Sequence, residues 1–153
     1  MAAVTDRLAE LGLTLPEVAA PVAAYVPAVV DGDHVYVSGQ LPLVAGELTE
    51  TGKVGAEVST ERAAELARVC ALNGLAAIDA AVGLDRVERV VKVTGFVASA
   101  PGFTGQPAVI NGASELLGAV FGDAGRHARS AVGVAELPKG SPVEVELIVR
   151  VRA

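Results

Sequence analysis

Arg129, Glu144 and Glu146 are the residues of this 153-residue chain whose types and spacing could do chemistry. Arg129 opens an alternating segment, 128–137. Ser130, Val132 and Val134 fall on one side of it, and Arg129, Ala131, Gly133 and Ala135 on the other. Small side chains beside a guanidinium clear the space in front of it, and its planar fork matches a carboxylate or a phosphate. The competing reading is a structural ion pair between Arg129 and a nearby Glu. Glu144 and Glu146 stand two apart on a second alternating segment and so share a face. They are either a solvated strand face or a pair of which one serves as a general base.

Other chemistries find less support. The phosphate-cradling patterns GxxxxGK[ST] and GxGxxG are absent. His34 and His127 are far apart and lack metal-ligand spacing. His34 follows a turn and reads as solvated. His127 lies beside Arg126 and Arg129, so it either helps to recognise an anion or is simply exposed. With no GxSxG and no Cys/His/Asn trio, nucleophilic catalysis has no candidate. Cys70 falls on the apolar stripe of a helix and reads as packing.

The elements that must position these groups follow from periodicity. Val143, Val145, Leu147 and Val149 alternate with Glu144, Glu146 and Arg150, the mark of a strand buried on one face. A Pro-bounded connection joins it to the strand 128–137, and the two form a closing strand pair. Upstream, residues 5–12 predict a short helix ending at Gly12, and Pro16, Pro21 and Pro27 keep the next stretch extended. Strands are predicted over 24–30 and 34–38, joined across Asp31-Gly32, with Gly39 marking a bulge or a close backbone approach. Residues 41–58 show no period and read as a loop. A long helix from Ser59 or Thr60 to Ala81, a strand over 88–98 and a helix over 107–120 complete the order ββαβαββ. Two helices following strands pack on one face of a mixed sheet, which makes an α+β domain. One domain spans 1–153, with 1–23 as an extension.

Hydrophobic residues make up 52%, much of it Ala and Val, so the core is built of small pieces. The net charge of −6 weighs against a nucleic-acid partner, since phosphate affinity comes from Lys and Arg. A single Cys suits a reducing compartment. The N-terminus lacks the pattern of a signal peptide, and no apolar run has the length to cross a bilayer. A cytoplasmic protein is expected, with no membrane association.

Four stretches carry a resemblance. YVSGQLP (36–42), AAVGLDRVERVVKVTGFV (80–97), VINGASELL (109–117) and ARSAVGVAELPKGSPVEVEL (128–147) together resemble the RidA/YjgF family of reactive-intermediate deaminases. The similarity runs from about Tyr25 to Arg150, and the extended N-terminus and long loop resemble the branch labelled endoribonuclease L-PSP-like. The resemblance implies a chorismate-mutase-like fold and a homotrimer with clefts between subunits. It implies hydrolysis of 2-imino acids to 2-keto acids and ammonia, with no metal or cofactor. Arg129 then matches the carboxylate-binding Arg, and Glu144 the Glu that holds the attacking water. Asn111, Tyr25 (an aromatic in the first strand) and Ser38-Gly39 match cleft-lining positions. Ala131 stands where the well-known deaminases usually carry Cys, which leaves the substrate open. Two alternatives remain: a non-catalytic binder of small carboxylates, and an endoribonuclease.

Overall fold

A computed structural model describes residues 3–153. Its centre is one five-stranded sheet in the order β1 (Ala28–Asp31), β2 (His34–Gln40), β7 (Val143–Val151), β5 (Val87–Ala98), β6 (Ala128–Val134). Neighbours run antiparallel except β5 and β6, which are parallel. The expected closing strand pair is therefore corrected. β6 and β7 follow each other in sequence, but β5 lies between them. The short stretch 135–142 thus carries the chain across β5 rather than folding it back as a hairpin.

Register assigns the faces. Val143, Val145 and Leu147 on β7 oppose Val97, Gly95 and Val93 on β5, which in turn oppose Gly133, Ala131 and Arg129 on β6. Directly opposed residues project to the same side. Helices α2 (Thr60–Val82) and α3 (Gln106–Phe121) cover that side. Leu66, Leu75, Ile78, Ile110, Leu116, Leu117 and Leu147 are fully buried there, each contributing roughly 1.5–3 kcal/mol by leaving water. The other side stays uncovered and carries Tyr36, Phe96, Val132, Glu144 and Glu146.

Local chemistry explains the boundaries. Ser59 caps α2 by accepting from the Arg62 N–H at 3.1 Å, and Gly83 ends the helix at φ 84°. α3 opens with Gln106 and Pro107, Pro being favoured in a first turn because its missing N–H would have no partner there. The two helices cross closely: a Cβ on Gly112 would stand 1.9 Å from the Ala64 carbonyl oxygen, so only glycine fits. Two further predictions need correction. The first strand begins at Ala28 rather than Ala24, because 22–25 bends ahead of Pro27. The stretch read as a loop contains a small hairpin, β3 (Leu43–Val44) with β4 (Glu47–Leu48). Helix α1 (Val4–Glu10) sits close to its predicted place.

Candidate functional site

Arg129 is held from α3. Its Nη1 donates to Asn111 Oδ1 at 2.8 Å and to Ser114 Oγ at 3.2 Å, and its Nη2 donates to the Pro107 carbonyl at 3.4 Å. Asn111 and Ser114 are three apart, so α3 presents both on one face. No carboxylate pairs with Arg129 among the described residues, which removes the ion-pair reading. Of the five guanidinium N–H groups three are engaged. Nε–H and one Nη2–H remain, and these form the edge that takes a carboxylate side-on. Ala131 stands opposite Gly95 on β5, packed against the core, and Ile110 fills the space over Gly95.

Glu144 is placed by different elements. It sits half-buried near the start of β7, opposite Phe96, on the side away from the helices. Its carboxylate lies against Gly39, where β2 bulges between Val37 and Gln40. A Cβ on Gly39 would meet Glu144 Oε1 at 2.3 Å, so the predicted close backbone approach is present, and Glu144 is what approaches. Burial pushes the Glu144 carboxyl above its ordinary value, and the charge of Glu146 adds to the rise. Tyr25, Gly39 and Glu144 line one small cavity of about 30 Å³, roofed by Ala19, Ala20, Pro21 and Val22. That volume holds about two waters. Tyr25 thus reaches the site from a bend outside the first strand, where it was expected, and its hydroxyl accepts from the Val22 N–H at 3.3 Å. The Ser38 hydroxyl is turned away and donates to the Val26 carbonyl at 2.6 Å, pinning the roofing segment to β2.

The expected residues therefore gather into two groups. Arg129, Asn111 and Ala131 lie along the β6 edge on the helix-covered side. Tyr25, Gly39 and Glu144 lie at the other face, with β5 between β6 and β7. Sequence reasoning missed Ser114. Its Oγ is 2.8 Å from His127 Nε2, and His127 Nδ1 is 2.6 Å from the Gly125 carbonyl. The signal was its spacing of three from Asn111 on the helix that faces Arg129.

The family described as "YjgF/chorismate mutase-like, putative endoribonuclease" matches residues 5–150. The chain belongs to the RidA/YjgF family. A solved relative from Shewanella oneidensis, described as a "putative endoribonuclease", superposes with TM-score 0.94 at 32% identity, covering 98% of this chain and all of that one. The chorismate-mutase-like RidA/YjgF fold expected from the sequence is thus the fold observed. Among curated relatives, Protein TCP17 of Trypanosoma cruzi is 49% identical, covering 95% of this chain and 92% of that protein. A 2-iminobutanoate/2-iminopropanoate deaminase of Dermatophagoides farinae is 33% identical over 90% of this chain and 93% of its own length. No helix among the described residues of this RidA/YjgF member is long and apolar enough to cross a membrane.

Proposed function

We propose that the protein hydrolyses small 2-imino acids to 2-keto acids and ammonia, in clefts between the subunits of a homotrimer. The observation that carries this reading is the guanidinium of Arg129, oriented by Asn111 and Ser114 with one two-donor edge left free. The 33% identical relative named as an iminobutanoate/iminopropanoate deaminase supports the substrate class.

Imine hydrolysis asks little of a protein beyond orientation and a placed water. The iminium carbon is already electrophilic. Arg129 holds the substrate carboxylate. Glu144 accepts a proton as water adds to that carbon, giving a carbinolamine. The same proton passes to the nitrogen; as the C–N bond breaks, the hydroxyl proton passes to Glu144, ammonia leaves and the keto acid remains, and that second proton ends on the ammonia as ammonium. A carboxyl with a raised proton affinity suits both halves of that transfer. The water-sized cavity beside Glu144 suits the nucleophile.

Arg129 and Glu144 face opposite sides of the sheet within one chain, so a shared site calls for the Arg129 edge of one subunit against the Glu144 face of another. The uncovered face supplies Tyr36, Val29 and Val132, each at least 43% exposed, as the apolar surface for such contact. A net charge of −6 speaks against RNA as the substrate.

The test generates an imine in place with an amino-acid oxidase or a dehydratase and follows keto-acid release with and without the protein. Acceleration over the uncatalysed rate is expected, together with a trimer mass in light scattering. A monomer at micromolar concentration, or no acceleration with several small imino acids, refutes the reading.

A further inference from the structure

Behind Arg129 lies a hydrogen-bond chain whose directions follow from valence. A carbonyl only accepts, so His127 Nδ1, 2.6 Å from the Gly125 oxygen, carries a hydrogen. In the neutral ring Nε2 is then a bare acceptor, and Ser114 must direct its one hydrogen to it across 2.8 Å. The same Ser114 oxygen accepts from Arg129 Nη1 at 3.2 Å. In this state the serine has no hydrogen for a ligand.

Adding a proton to His127 reverses one bond. Nε2 becomes a donor to Ser114 Oγ, which now accepts from both the imidazolium and the guanidinium. The hydroxyl hydrogen is released from Nε2 and becomes free for an acceptor on the Nη1 side of Arg129. An anion arriving there gains a donor and a second positive charge. By reciprocity, the anion favours the proton by the same factor.

We propose that Ser114 and His127 belong to the acid-binding site at Arg129, and that a small carboxylate binds there together with a proton taken up by His127. The proposal rests on the reading of Arg129 as the carboxylate hook, but not on imine hydrolysis. Charged groups on the elements packed around His127 are Glu88 (paired with Arg150), Arg89 and Lys92 on β5, Glu115 on α3 and Asp123 in the turn 122–125. Arg126 and Arg129 flank it on its own segment. Arg89 is engaged with the Arg126 carbonyl at 3.3 Å.

The experiment titrates the whole protein with 2-oxobutanoate, a stable keto acid, by calorimetry from pH 8 to pH 5.5. Paired buffers of low and high ionisation enthalpy count the protons. The wild type is expected to take up a proton fraction and to bind about threefold to tenfold more tightly at low pH, the effect of one added hydrogen bond. His127→Gln is expected to bind with no such gain. Ser114→Ala is expected to lose most of the gain, whereas a merely structural serine would weaken binding equally at every pH. Glu144→Gln is expected to keep the uptake, which separates His127 from the other titrating group near the cleft. A wild type with pH-independent affinity and no proton uptake overturns the proposal without help from any variant, as does uptake that persists in His127→Gln. Proton-linked binding by a protein that does not hydrolyse imines leaves this proposal standing and removes the deaminase reading alone. No binding at any pH removes the proposal at its root.

Discussion

Gly39→Ala puts the proposed water site to a sharp geometric test. The added methyl would stand 2.3 Å from Glu144 Oε1, 2.9 Å from Cδ and 3.2 Å from Cγ. Gly39 does not have positive φ, so alanine meets no backbone strain there. The clash is relieved by moving the end of the Glu144 side chain. Its oxygen must withdraw from 2.3 Å to an ordinary contact of at least 3.4 Å, about an ångström. Rotating a half-exposed side chain costs little, and replacing Gly lowers the entropy of the unfolded chain, which favours folding by roughly 0.4–1 kcal/mol. Stability should therefore stay within about 1 kcal/mol of the wild type. Catalysis should not, because an ångström of misplacement at a reacting group costs on the order of 100-fold. The assay pairs thermal melting with coupled keto-acid release. A folded Gly39→Ala protein turning over at the wild-type rate would refute the assignment of Glu144 to the water. A loss of several kcal/mol would refute the claim that Glu144 is free to move.

Arg129→Ala should abolish acceleration while leaving the melting temperature nearly unchanged. It deletes charge-assisted bonds of about 1.5–3 kcal/mol each to the substrate and breaks no ion pair; a folded variant with wild-type rates on several imino acids contradicts this. Glu144→Gln should lower turnover by about 10²–10⁴-fold with less effect on binding, and single-turnover kinetics separate the two. Because the Glu144 carboxyl is raised above its ordinary 4.5, it favours the fold fully below that pH, and the contribution is lost as pH rises through the raised value. Wild-type stability relative to Glu144→Gln should thus fall as the pH rises above 4.5, and a difference independent of pH in denaturant titrations counts against the burial argument. RNA should neither bind tightly nor be cleaved at physiological salt, given a net charge of −6; salt-sensitive cleavage lost in Arg129→Ala would overturn this.

Elements governed by local signals were legible in the chain. α2 starts at the expected cap because Ser59 supplies the acceptor that its first turn lacks. β5 and β7 carry the alternation that a one-sided strand requires. What escaped depends on partners distant in sequence. Nothing local to 128–137 says that its neighbour is β5 rather than β7, or that the pairing is parallel. The β3–β4 hairpin turns on Ala45 and Gly46 at φ 52° and 83°, and alanine there gives no turn signal. At the site, Arg129 and Gly39 stood out by type and setting, and the hydrogen bond from Arg129 to Asn111 became visible only in the fold. Ser114 did not stand out, because a serine inside a helix reads as a neutral surface residue until β6 and the residue before it supply Arg129 and His127. Tyr25 contributes through a bend rather than a strand because Pro27 delays the start of β1.

The placement of β7 has a consequence for the order of assembly during synthesis. β7 follows the other four strands of the sheet in chain order, yet it occupies the middle of the sheet, between β2 and β5. Before it emerges, the five-stranded sheet can form only as two separate pieces, the hairpin β1–β2 and the β5–α3–β6 crossover with its parallel pair, with α2 packing on both. Neither piece has the other beside it, and Val37, Val93 and Val97 lack the neighbours Leu147 and Val143 that complete their side of the sheet. Joining them requires pairings across more than 100 residues, from Val35 to Val149, and contacts so far apart in sequence form slowly. A ribosome-bound chain ending at Gly140 would expose two unpaired strand edges, β2 and β5, the kind of surface that recruits chaperones or aggregates. Emergence of residues 141–151 then closes the gap, and the same insertion seats Glu144 against Gly39.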